Sequence, residues 1–211
     1  MKRTMLTAVA CLLATGCLVP LVAPGSRVET GPVTNVGGEA NANGVQVKVG
    51  SHLASVAMST AQRHDVGAGY IAEVYTKPTA IDESDFARRR SLHGGYLEYG
   101  RRIDSNPHSR RRIYLGVRGE VLAAIGAATN VGVGASARVT YEFAKAGEAD
   151  FTNESNCGAS TGTTFGTTAV GLYAEAGYRA LEGNAAVFTA GVTLRLPSLV
   201  GIAIVIPVPG C

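Results

Sequence analysis

Residues 131–143, VGVGASARVTYEF, alternate without a break. Val131, Val133, Ala135, Ala137, Val139, Tyr141 and Phe143 fall on one side, and Gly132, Gly134, Ser136, Arg138, Thr140 and Glu142 on the other. A period of two is a β-strand with one apolar face. Similar segments recur from Val45 onward and predict strands near 45–58, 66–76, 91–103, 111–122, 131–143, 168–180, 186–196 and 199–208. Turn chemistry at Gly183-Asn184 and Pro197-Ser198 separates some of them, and no convincing amphipathic helix intervenes. The pattern predicts an all-β chain, an antiparallel up-and-down barrel of about eight strands.

The two faces differ in chemistry. One interleaves glycine with Glu73, Glu98, Glu120, Glu142 and Glu175 and with Arg102, Arg118, Arg138, Arg179 and Arg195. Glycine weakens a strand unless something must approach closely. A narrow barrel interior supplies that reason, because small residues leave room for long charged chains, and balanced signs let buried charges pair. The opposite face is aliphatic in mid-strand, with Tyr141 and Phe143 towards one end and Tyr178 and Phe188 towards the other. Such a distribution is expected where a barrel crosses a bilayer between two interfaces. The alternative orientation puts the apolar face inside a soluble barrel and the charges in water.

The N-terminus begins MKRTMLTAVACLLATGC, two basic residues followed by a short apolar run, which reads as a signal peptide over 1–16. Ala14-Thr15-Gly16-Cys17 resembles a bacterial lipobox, which implies cleavage before Cys17 and lipid on its sulfur. Residues 18–44 are rich in Pro, Gly, Ala and Asn, so 17–44 reads as a lipidated N-terminus and flexible tether, with the barrel domain over 45–211. Cys157 and Cys211 remain as an even pair in an oxidising compartment, where a disulfide is favoured over two free thiols.

The alternating segments with their Arg/Glu faces resemble the small outer-membrane β-barrels of Gram-negative bacteria, the OmpA-like eight-stranded kind. The resemblance covers about residues 45–208 and rests on pattern, without a diagnostic motif. It implies an antiparallel barrel with a salt-bridged interior, in the outer membrane either as an integral or as a lipid-anchored protein. Three features depart from that pattern. The chain ends IAIVIPVPGC without a terminal aromatic, its last strand is apolar on both faces, and both 77–90 and 144–167 read as long loops.

Candidate chemistry is sparse. The net charge of +3 is too small to argue for nucleic acid, and no stacking platform for single strands is apparent. No phosphate loop, nucleophile elbow or metal-ligand spacing occurs, so neither metal nor cofactor is expected. Ser91 and His93 share a strand face, but Glu98 lies on the other, which argues against a hydrolase triad. Arg101, Arg102, Arg110, Arg111 and Arg112 bracket one turn and suggest a clamp for polyanions such as lipopolysaccharide phosphates. The expectation is a non-enzymatic barrel (lipo)protein with membrane lipid as its partner and a structural or surface-interaction role. The alternative is a tethered soluble barrel binding an apolar ligand, lipocalin-like. Oligomeric state is not legible.

Overall fold

The computed structural model describes residues 17–37, 42–76, 91–124, 130–155, 158–181 and 184–205. The expected signal peptide, Cys157 and Cys211 lie outside these residues, and of Cys17 only the backbone is described.

Among the described residues ten strands follow in chain order: β1 (Cys17–Ala23), β2 (Ser26–Gly37), β3 (Ala42–His52), β4 (His64–Thr76), β5 (Ser91–Arg102), β6 (Arg111–Ala124), β7 (Asn130–Ser155), β8 (Gly158–Ala180), β9 (Asn184–Leu196) and β10 (Ser198–Val205). One helical turn, α1 (Leu53–Val56), lies between β3 and β4. Strands β2 to β9 pair antiparallel with their chain neighbours, and β9 pairs back onto β2. The result is a closed eight-stranded barrel without free edges. The expected fold class and strand number hold.

One strand of the ring differs from the expectation. Residues 26–37 are not tether; β2 is a wall of the barrel, paired with β3 and β9. Its alternation is Arg27, Glu29 and Val33 inward against Thr30, Pro32 and Val36 outward. Pro32 lacks an N–H, and the β2–β9 pairings stop at Thr30–Val192 and resume at Val33–Thr189. The proline is tolerated because it sits in that gap of the seam.

The predicted strand 199–208 corresponds to β10, which lies outside the ring. The expected loop 144–167 is a hairpin: β7 and β8 stay in register from Val133–Ala180 to Ser155–Gly158, far past the barrel wall. Strand β10 adds to this hairpin along residues 158–165 of β8, and β1 adds to β10. Together they form a four-stranded flap at one end of the barrel. Gly166, at φ +112°, lies where β8 leaves the ring for the flap. Strand β10 is therefore free of the one-sided alternation a barrel wall imposes.

The flap end also carries α1 and the β3–β4 and β5–β6 connections. The Ala54 N–H donates to Asp65 Oδ1 at 3.0 Å, and Thr167 Oγ1 donates to the Ala57 carbonyl at 2.8 Å, so α1 and its flank are tied across the mouth. The opposite end is filled by an apolar cluster that includes Val33, Ile71, Tyr75, Leu92, Leu122 and Val187. We call these the lid end and the plug end.

Candidate functional site: the charged lumen and the arginine rim

Period-two alternation decides what each face meets. Arg118, Glu120, Arg138, Glu142, Glu175, Arg179 and Arg195 point inward and are buried, as are Glu73 and Glu98. Val131, Val133, Tyr141 and Phe143 point outward, with Val131 69% exposed. The apolar face is thus outside and the charged face inside.

The interior charges form hydrogen-bonded networks. Glu98 accepts from Arg27 at 2.6 Å, from Arg118 at 2.5 Å and from Arg138 at 2.8 Å. Glu29 takes Arg138 at 2.5 Å and lies 3.1 Å from Arg27. Glu175 joins Lys48 at 2.7 Å to Arg118 at 2.6 Å. Towards the lid, Arg195 bridges Glu142, at 2.8 Å, and Asp65. Towards the plug, Arg179 clamps Glu73 through both terminal nitrogens, at 2.6 and 2.7 Å, and also holds Glu120. Tyrosine rings fill the space between: Arg118 lies 4.7 Å over Tyr96, and Lys48 and Arg138 lie 5.1 and 5.2 Å over Tyr173. The glycines explain how this fits. A Cβ at Gly134 would come within 2.9 Å of side-chain carbons of both Arg179 and Glu120.

Sequence reasoning missed Arg27, Glu29, Lys48, Asp65 and Gln46, all buried in the lumen. Their signal was present: Lys48 sits between Val47 and Val49, and Arg27 flanks Val28, in the same alternation as the rest. Arg27 and Glu29 were hidden by the Pro/Gly-rich composition of their neighbourhood.

Arg102 corrects the expectation in the other direction. It is buried, but it does not join the lumen network. Its guanidinium donates to Asp104 at 2.6 and 2.5 Å and to the carbonyls of Pro107, Asn106 and Thr60, so it pins the β5–β6 turn. The arginine cluster is split by the same alternation. Arg101, Arg110 and Arg111 are exposed, whereas Arg112 faces inward, fully buried. Among the described residues none of the Arg112 guanidinium nitrogens has a hydrogen-bond partner. Arg102 and Arg112 therefore cannot belong to an external clamp.

Among the described residues, His52, Asp65 and Glu98 bring metal-ligand atoms within 4.8 Å of one another. Arg27 already donates to both carboxylates, at 3.2 Å to Asp65 and 2.6 Å to Glu98. With a guanidinium bridging them, a further cation would meet charge repulsion. Ser91 and His93 both lie on the outward face, and the His93 ring is hydrogen-bonded to the Tyr70 hydroxyl at 2.5 Å. His64 is likewise bonded to Tyr99, at 2.9 Å. Each tyrosine hydroxyl thus engages the Nδ1 of its histidine.

No protein-family model matches the chain, and no curated protein matches its sequence. In structure it is similar to Neisserial surface protein A (NspA), with a TM-score of 0.46 and 12% identity over 83% of this chain and 98% of that one. The functional reading accordingly stands on the chain's own geometry.

Proposed function

We propose that the chain is a non-enzymatic, non-conducting barrel spanning the outer membrane of a Gram-negative envelope, with a structural or surface-interaction role. The observation that carries this reading is the outward face of the ring. Among the described residues it holds no Asp or Glu, and its arginines, Arg101 and Arg111, stand at the lid end. Between them and the plug end run residues such as Val47, Val66, Leu97, Val117, Val139, Leu172 and Val192, all exposed. A soluble monomer rarely exposes an apolar patch beyond a few hundred Å². A belt around eight strands suits hydrocarbon, flanked by Tyr99, Tyr141 and Phe143 towards the lid and Tyr178 and Phe188 towards the plug.

The lipocalin-like alternative required an apolar interior. The interior is instead packed with ion pairs and closed by the plug. The same filling supports the absence of conduction. The Ala14-Thr15-Gly16-Cys17 motif supports a lipidated Cys17, which intact mass of the mature N-terminus would test.

Alkaline carbonate washing followed by gels with and without boiling tests the spanning reading. A carbonate-resistant band with heat-shifted mobility is expected. Release of the Cys17→Ala protein into the wash would instead mean a tethered soluble domain.

A further inference from the structure

Two of the exposed arginines at the lid end, Arg63 and Arg101, line one pocket. It has a volume of about 390 Å³ and is lined by Arg63, Arg101 and Arg102 together with Ile103, Asp104, Ser105 and Pro107 of the β5–β6 turn. Two strand ends build it. The Arg102 N–H donates to the Arg63 carbonyl at 2.8 Å, and Arg101 is the cross-strand partner of His64. Arg63 and Arg101 are thereby held at adjoining positions, both exposed.

The electrostatics of the pocket follow from how its charges are used. Asp104 brings a negative charge, but Arg102 neutralises it with two hydrogen bonds at 2.6 and 2.5 Å. The remaining Arg102 donors are taken by backbone carbonyls. Among the described residues nothing engages the guanidinium forks of Arg63 and Arg101, so the described lining presents two free guanidiniums and no free carboxylate. Such forks match the tetrahedral oxygens of a phosphate, each donating two N–H groups. Its height along the barrel adds a second constraint. Tyr99 precedes Arg101 by two residues on the outward face and is bonded to His64 at the same rim. In a spanning barrel that row marks the boundary between hydrocarbon and headgroups. Ile103, 52% exposed, gives the pocket an apolar flank.

From this geometry we infer that the Arg63/Arg101 pocket binds the phosphate of a membrane lipid headgroup. The inference rests on the membrane-spanning reading and sharpens it. It also revises the cluster seen in sequence: Arg63 enters, while Arg110 and Arg111 do not line the pocket.

The test uses the full chain in a maltoside detergent, which carries no phosphate. Retention of dioleoyl phosphatidic acid is titrated by native mass spectrometry, with dioleoyl phosphatidylcholine as the zwitterionic reference. Wild type should retain phosphatidic acid preferentially. The Arg63→Gln/Arg101→Gln variant should bind it about tenfold more weakly. The Arg110→Gln/Arg111→Gln variant, with the same loss of charge, should bind as wild type does. Equal binding by the Arg63/Arg101 variant, or an equal drop in both, overturns the pocket. Displacement of the lipid by inorganic phosphate at equal concentration overturns the lipid assignment. The heat-shifted gel band is followed on the same samples. Its absence in wild type would refute the membrane reading, whereas an unchanged affinity in a heat-shifting variant refutes the pocket alone.

Discussion

Arg118 and Glu98 are direct partners across the β5–β6 ladder, and the guanidinium donates through Nε and Nη2 to one carboxylate oxygen, at 3.0 and 2.5 Å. That oxygen also takes Arg138, and the other oxygen takes Arg27. One carboxylate thus anchors three guanidiniums from three strands. Glu98→Ala should destabilise the barrel by about 3–5 kcal/mol, because each arginine would remain buried with fewer partners. Urea unfolding in micelles measures this. A loss under about 1 kcal/mol, the range of an exposed pair, would mean that water reaches the network.

Arg112 behaves in the opposite sense. Its charge is buried in the lid end and its nitrogens find no acceptor among the described residues, so the cost of burial goes uncompensated by their hydrogen bonds. Arg112→Met keeps most of the stem volume and removes the charge. It should leave stability unchanged or raise it, while Arg138→Ala, which strips Glu29 and Glu98 of a donor, should lower it. The two unfolding midpoints, run side by side, distinguish a buried arginine from a paired one.

Ala137 sits mid-strand on the outward face, between Val117 and Ala176. Ala137→Arg should cost about 2–4 kcal/mol in a bilayer, the cost of a charge on the lipid face at mid-depth. The variant should insert poorly, with a weakened heat-shifted band. Normal insertion would contradict a lipid-facing surface.

Acid should loosen the β5–β6 turn. Burial works against ionisation of Asp104, but the Arg102 hydrogen bond, the Ile113 N–H and the Arg102 charge outweigh it and hold the carboxyl below its usual range. A lowered folded value means that the contribution is complete above the unfolded value, near about 3.9, and fades as pH falls through the folded one. Hydrogen exchange at 103–110 should rise over that acid interval, and Asp104→Asn should abolish the pH dependence.

The sequence made the barrel legible because alternation is a local property. Seven of the eight walls were readable from 45–196, and the charges named on their glycine-bearing faces lie buried, Arg102 against the β5–β6 turn. What escaped depends on distant partners. Nothing near Pro32 says that its missing N–H faces a gap opposite Val192 and Thr189. Nothing in the run Ile202–Val205 says that its partner is the stretch 158–161 of β8. Arg102 alternates as a lumen residue should, but it lies one residue before a turn whose carbonyls converge on it. The pocket at Arg63 joins two connections about 40 residues apart in sequence, and no spacing rule links them.

The pairing of β1 with β10, and of β2 with β9, brings the earliest and latest parts of the chain together twice. Contacts of such long sequence separation form late and slowly. During synthesis β2 can pair at once with β3 along one edge, but its other edge has no ladder to enter until β9 has followed. Its inward arginine and glutamate, Arg27 and Glu29, meet Glu98 and Arg138 only once the ring has come round. The seam then works as a completion check: a chain truncated before β9 leaves its first wall unpaired on one side and the barrel open.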